Sequence, residues 1–346
     1  MKENFISNFA DFAIPELKPK YQVQRFDNKK GDRFYYFVND EGQIVPAIGV
    51  TTFLGKVMPE SKFLTDWKLK FGKDWEIVLN LTAEYGTHLH IGVGYIMLNR
   101  TMPDDKFIEE GRSIIKALKK YDKSIPLNMI EKNLISFAKF VKDYNVQPLL
   151  IEALLPYQTE FGAFYCMTQD LLCKVTYERK EKVVVEAGVY QRGEKKGQPK
   201  YEEETRRIPV TETWCVDFKS NPFDKEDKGF YDSHKYQLIA TKKAVKQNFG
   251  IVADKIVNWS PLPFRNSEKL GNYELKEWNV TEKDTEVLSL YEKLAHQLGY
   301  FVPSGYVEVF NLQAENIEDM YQRYGYLEYA ALYEASKNIP DGENDN

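Results

Sequence analysis

The spacing of apolar positions changes along the chain, and each change predicts a different kind of element. In the first fifty residues "YQVQRF" and "RFYYFVND" read as strands, "NDEGQ" as a turn, and "IVPAIGVTTFL" leads into a first helix. Over 61–144 the spacing becomes three and four, in "SKFLTDWKLKFGKDWEIVLNLTAEYGTHLHIGVGYIMLN", "DKFIEEGRSIIKALKKY" and "NLISFAKFVKDYN", which predicts helices. "VQPLLIEALLPY" and "GAFYCMTQDLLCKVTYE" then return to strand texture. The next segment, 179–212, is highly charged. Within it "KVVVEAGVYQ" and "YEEETRRIPVTETW" flank "RGEKKGQPK", the pattern of a long hairpin with a solvated tip. "DSHKYQLIATKKAVKQNF" predicts an amphipathic helix with Tyr236, Ile239, Ala240 and Val245 near one side, and "GIVADKIVNWSP" predicts a strand. Helices over 281–299 and 316–337 and a polar tail, "NIPDGENDN", complete the reading.

No internal repeat, heptad seam or clear linker interrupts this order. Helices, then strands, one helix and another strand fit a single α/β domain with an N-terminal helical attachment. The expected division is a β entry and helical region over 1–149, a core over 150–310 that carries the hairpin 179–212, and a C-terminal helix and tail over 311–346.

Composition narrows the function only a little. The chain has 346 residues, 43% hydrophobic and 29% charged, as expected of a soluble globular protein. No apolar run approaches the ~18 residues that span a bilayer, and "MKENFISNFADFAIPE" lacks a signal-peptide core, so a cytoplasmic protein without a membrane partner is expected. Cys166, Cys173 and Cys215 cannot all pair and read as buried reduced thiols. Three is also one short of the usual iron–sulfur set. A net charge of −5 argues against a protein that coats nucleic acid by charge alone. It leaves room for an enzyme that meets phosphates through a metal and a few basic side chains.

Several residues carry candidate chemistry, each with a plainer reading beside it. In "TWCVDFKSNPF", strand alternation puts Asp217 and Lys219 on one face and Trp214, Val216 and Phe218 on the other. The pair is either a surface ion pair or a metal carboxylate beside an ammonium. His88 and His90 are about 200° apart on a helix, so they cannot both ligate one ion. Either could be a hydrogen-bonded helix histidine. Asp170 and Glu152 are single acids in apolar strands, where a charge is costly unless paired or metal-bound. Asp170 could equally be a turn residue at a strand end, and Glu152 a structural ion-pair partner. Gln237 shares a helix with Lys242, Lys243 and Lys246, a solvated face or a phosphate contact. Two acids on neighbouring strands plus an imidazole suit Mg²⁺ or Mn²⁺, and a lysine beside them can position water or neutralise a phosphate oxygen.

Taken in order, His on a helix, Glu, Asp, Asp-x-Lys on strands and Gln on the next helix resemble the PD-(D/E)xK nuclease superfamily, in its RecB-like exonuclease branch. Gly86, Thr87 and His90 match the branch's Gly-Thr-x-x-His helix, and Asp170 its strand acid. Asp217 and Lys219 match its Asp-x-Lys, and Gln237 its trailing glutamine. "VTTFL" with Trp67 looks like the segment before the helix motif, so the resemblance spans 50–259. It implies a restriction-endonuclease-like core, a central mixed sheet flanked by helices, with 179–212 as an inserted charged hairpin. It also implies that His90, Asp170, Asp217 and the Phe218 carbonyl bind Mg²⁺ or Mn²⁺, with Glu152 as a looser acid. Lys219 would serve the attacking water, and Gln237 would touch substrate or steady the site. The chain departs from the pattern at Gln169, where the family name has proline, and at Thr241, where the branch has tyrosine. It also lacks the iron–sulfur cysteines of some relatives, so no cluster is expected.

The function implied is metal-dependent hydrolysis of DNA, from an end rather than internally, in recombination, replication or repair. A standalone chain without helicase motifs suits a phage or mobile element, acting in a bacterial or phage-infected cell. No G-x-x-x-x-G-K-[ST] loop is present, so ATP-driven movement would need a recombination or replication partner. The alternative is a binding module that keeps the nuclease-like fold but grips nucleic acid or protein without cutting.

Overall fold

The computed structural model describes residues 17, 19–21, 23–27, 33–41, 44–60, 62–220, 230–262 and 271–301. Three antiparallel strands, β1 (Gln24–Asp27), β2 (Arg33–Val38) and β3 (Ile44–Gly49), run directly into helix α1 (Val50–Val57). Four helices follow: α2 (Lys62–Phe71), α3 (Trp75–Asn99), α4 (Asp105–Leu118) and α5 (Met129–Asp143). Strands β4 (Gln147–Gln158), β5 (Phe164–Val189) and β6 (Pro199–Phe218) come next. Helix α6 (Asp232–Phe249), strands β7 (Lys255–Pro261) and β8 (Tyr273–Glu277), and helix α7 (Glu282–Gln297) complete the described chain.

The sheet is mixed. Its path is β1-β2-β3-β5-β6-β7-β8, with β4 paired to β5; β3 meets β5 and β6 meets β7 in parallel, and the other pairs are antiparallel. Helices α3, α4 and α5 bury one core against β5, β6 and β7. Helices α1, α6 and α7 bury a second core on the opposite face. The protein is therefore α/β, with a mixed central sheet flanked by helices. No helix among the described residues is long and apolar enough to cross a membrane.

Local chemistry explains the element ends. Asp104 caps α4 by accepting the Phe107 N–H, and Thr281 and Asp284 cap α7 reciprocally. Gly250, at φ +69°, ends α6 by donating to the Lys246 carbonyl. Close approach of α3 to its neighbours depends on Gly92, where a Cβ would fall 2.7 Å from Leu134 and 3.0 Å from Phe107. Strand β8 was not expected from the sequence. "YELKE" is short, charged and on a sheet edge, so its alternation is too brief to stand out. The helix expected over 316–337, the tail and residues 42–43 of the expected turn lie outside the described residues.

The alternation expected for 214–218 holds. Trp214, Val216 and Phe218 enter the core beneath α3–α5, and Cys215 enters the core beneath α6. The rings of Phe218 and Trp259 both meet Phe137 edge-on, each with centroids 5.3 Å away, so the end of β6 is clamped just where Asp217 sits. All three cysteines are buried and free.

Candidate metal centre

The site forms where the sheet splits. Strand β5 pairs with β4 along one edge. On its other edge, β3 pairs at Tyr165 and Cys166, and β6 only from Leu171 onward. Positions 167–170 therefore have no ladder partner on that edge. Side chains fill the gap. Asp170 Oδ2 accepts the Phe218 N–H at 2.7 Å, and Gln169 Nε2 donates to the carbonyls of Leu171 (2.8 Å) and Val216 (3.1 Å). Gln169, expected only as a missing proline, thus replaces backbone bonds that the diverging strands cannot make.

Strand β4 is irregular at the same level. Its ladder with β5 skips Glu152 opposite Asp170, and Glu152 has φ +48°, a left-handed conformation that costs a non-glycine residue about 1–2 kcal/mol. The strain has a visible consequence. Leu150 packs in the α6-side core before Glu152, and Leu155 and Tyr157 pack there after it, so side-chain parity inverts across this residue. Strand β5 inverts likewise, from Tyr165 and Met167 to Leu172. The inversion turns two acids toward one place.

His90, from the middle of α3, completes the group. Its Nδ1 lies 2.8 Å from Glu152 Oε1, and its ring meets the Phe218 ring edge-on at 5.5 Å. One ligand atom each from His90, Glu152 and Asp170 lies within 4.8 Å of the other two. His88 points elsewhere, as the helix geometry requires. It stacks on Phe107 at 3.9 Å with Nε2 2.9 Å from the Phe107 carbonyl, and burial lowers its pKa. Gly86 lies on the site's side, where a Cβ would meet Ser220 Oγ at 3.0 Å. Thr87 instead lines a groove with His88, Ile91 and Ser113 between α3 and α4.

A second set of groups adjoins the first. Lys219 Nζ donates to Asp217 Oδ1 at 3.0 Å and to Gln237 Oε1 at 3.2 Å, and it lies 2.8 Å from Asp217 Oδ2 as an ion pair. Gln237 Nε2 donates to Asp217 Oδ1 at 3.1 Å, and Asn258 Nδ2 to Oδ2 at 2.5 Å. Asn258 is fully buried and in turn accepts the Trp278 indole N–H at 2.7 Å. The residues expected from the sequence fall into two adjoining groups. His90 and Asp170 come together with Glu152, the acid of lower rank, while Asp217 stands beside them, held by three donors. Phe218 is tied into the site through its N–H, bonded to Asp170. Gln237 steadies Asp217 and Lys219, one of its two expected roles. Thr241 bonds back to the Gln237 carbonyl at 2.9 Å. The lysine face expected on α6 is broken at Lys243, whose Nζ reaches both Glu292 oxygens at 3.1 Å.

Electrostatics links the two sets. Burial opposes charge on His90, but the carboxylates of Glu152, Asp170 and Asp217 outweigh it and raise its pKa to about 9. With 24% of its side chain exposed, His90 keeps some hydration, which favours the same direction. Burial, reinforced by Glu152 and Asp217, pushes Asp170 far above the carboxylate range, against the pull of His90 and Lys219. Fully ionised, three buried carboxyl groups would exceed the Lys219 ammonium by two negative charges and an imidazolium would offset only one, so without a metal Asp170 keeps its proton at neutral pH, a place that a cation can take. One nitrogen and two carboxylate oxygens within mutual reach, in a pocket short of positive charge, fit a divalent cation.

Asn258 and Trp278 were not singled out from the sequence, and Gln169 only as the residue in the place of the family's proline. Asn258 carried the same signal as Glu152, a polar residue inside an apolar strand ("KIVNWSP"). No protein-family model matches this chain, and no curated protein matches it at a significant level.

Proposed function

We propose that this protein is a metal-dependent nuclease that hydrolyses phosphodiester bonds in DNA, on a core of the restriction-endonuclease kind. The observation that carries the reading is the convergence of His90, Glu152 and Asp170 beside an Asp217–Lys219–Gln237 cluster, from five separate elements. A structural ion pair has no need of three buried carboxylates around one ammonium. The order of these residues, and their resemblance to the RecB-like branch, supports DNA as the substrate and an end as the point of attack.

His90, Glu152 and Asp170 would hold Mg²⁺ or Mn²⁺, with Asp217 next to them. A bound cation supplies Lewis-acid polarisation of the phosphate and a more acidic water. The protein's own groups supply position. Without a cation, Glu152 holds the His90 ring in place through Nδ1, and a cation bound between them would take the place of that proton. Asp170 pins the end of β6 through the Phe218 N–H, which sets the place of Asp217 and Lys219. Lys219, with 27% of its side chain exposed, is anchored on Asp217 and Gln237 yet open to a water or phosphate oxygen. It can hold that oxygen by a charge-assisted bond.

The test is incubation of linear and circular DNA with purified protein, with Mg²⁺ or with EDTA. Mg²⁺-dependent loss of the linear DNA, abolished in Asp217→Ala and Lys219→Ala proteins that melt normally, is the expected result. Full cleavage by Asp217→Ala removes the assignment, and binding without cleavage by the native protein favours a non-cutting module.

A further inference from the structure

Strands β5 and β6 run on past the sheet as a two-stranded ribbon, paired from Thr176 and Thr211 out to Val189 and Pro199. From Glu178 outward, nearly every side chain is exposed or half-exposed. The charges of the shaft cancel in pairs: Arg179 with Glu181, Lys182 with Glu203, Arg206 with Glu204, Arg207 with Glu178 and Lys200 with Glu202. The tip differs. Over 190–199, Arg192, Lys195 and Lys196 face only Glu194, a surplus of two positive charges in a chain of net charge −5. No ion pair joins Arg192, Lys195 or Lys196 to any described residue.

The tip is also ordered. Tyr190 N–H donates to the Gln198 carbonyl (3.0 Å), Gly197 to Tyr190 (2.9 Å) and Lys196 to Gly193 (3.1 Å), with Gly193 and Gly197 at φ +83° and +82°. This turn displays three cations on one short loop. Tyr190 lies under Lys195 at 5.8 Å, and Tyr201, opposite Glu186 in the ribbon, is 60% exposed.

We propose that the ribbon tip is a second DNA-binding element that grips the phosphate backbone away from the metal centre. Charge complementarity selects the occupant. The shaft is self-neutralised and the chain as a whole repels polyanions, so the unpaired cations of the tip stand out as the ribbon's seat for one. Strand β5 runs from position 171 to Val189 at a rise of ~3.3 Å per residue, which sets the tip on the order of 60 Å from the carboxylates. That reach equals roughly 20 base pairs of duplex at ~3.4 Å per pair. The tip therefore holds either the far part of the DNA engaged at the metal centre or a separate segment. The choice of DNA as the polyanion rests on the nuclease reading.

The experiment is fluorescence anisotropy of 40- and 12-base-pair duplexes against salt, in EDTA, with the full chain. Each lost phosphate contact lowers the slope of log K against log salt by ~0.9, so Arg192→Ala/Lys195→Ala/Lys196→Ala lowers it by about 2–3. Lys182→Ala/Glu203→Ala, on the shaft, leaves the slope unchanged, as does Lys195→Arg/Lys196→Arg, which keeps the charge. Thermal melting confirms that each variant is folded. A fall on the long duplex alone means that one DNA spans both places, and a fall on both lengths means an independent grip. An unchanged slope in the tip variant, or an equal fall in the shaft variant, overturns the proposal. A protein that cuts but whose slope ignores the tip sinks this inference alone. One that binds through the tip but never cuts sinks the nuclease reading alone.

Discussion

Replacing Asn258 with leucine tests how Asp217 is held. Asn258 is completely buried, and its amide makes two bonds, donating to Asp217 Oδ2 and accepting from the Trp278 indole. Leucine has the same branched shape and is somewhat larger, so it leaves no cavity while both bonds vanish. A bond to a charged acceptor contributes about 1.5–3 kcal/mol and a neutral one about 0.5–1.5 kcal/mol. Added apolar burial offsets part of this, which leaves a loss of roughly 2–3 kcal/mol. Urea denaturation in EDTA at pH 6.5, followed by tryptophan fluorescence, reads it as a lower midpoint at constant slope. Mn²⁺ titration should also show weaker binding, because Asp217 loses one of the three donors that fix its orientation. Asn258→Asp sharpens the comparison: it sets a second carboxylate against Asp217, so its loss should grow from pH 5 to pH 8. A stability change below about 0.5 kcal/mol in Asn258→Leu, with Mn²⁺ affinity intact, would refute the claim that Asn258 positions Asp217.

Other outcomes follow from the same geometry. The raised pKa of His90 means that the folded protein binds more protons than the unfolded chain between pH ~6.5 and about 9, so metal-free stability falls as pH rises through that window. Asp170 acts in the same sense; urea midpoints in EDTA at pH 6, 7.5 and 9 should decline, and Mn²⁺ should flatten the decline. His90→Ala should weaken Mn²⁺ binding at least tenfold by calorimetry, whereas His88→Phe, on the opposite side of α3, should leave it unchanged. Gly86→Ala meets only the rotatable Ser220 hydroxyl and should be neutral or stabilising by up to about 1 kcal/mol, as expected for Gly to Ala in a helix. Gly92→Ala drives a methyl into Leu134 and Phe107 and should cost about 1–3 kcal/mol, measured by thermal melting.

Much of the architecture was legible because period and burial agree. The α6 helix fell where its apolar side predicted, and the 214–218 alternation put Asp217 and Lys219 on the face opposite Trp214 and Phe218. The hairpin was legible from its charged strands and glycine-bearing tip. What stayed hidden depends on how strands meet. Nothing local to Glu152 announces a left-handed residue, since glutamate has no preference for that region, and only the pairing of β4 with β5 imposes it. The unpaired edge at 167–170 arises because β3 and β6 reach β5 from opposite ends, a long-range event with no sequence period. Gln169, Asn258 and Trp278 act only through that arrangement; a single polar residue in an apolar strand was the trace of the first two, and Trp278 left none.

The most direct measurement is an anomalous difference map from a crystal soaked in Mn²⁺. A single peak within coordination distance of His90, Glu152 and Asp170, bordered by Asp217, is what this account predicts. A map with no peak there, while Mn²⁺ sits on other carboxylates or nowhere, would contradict it.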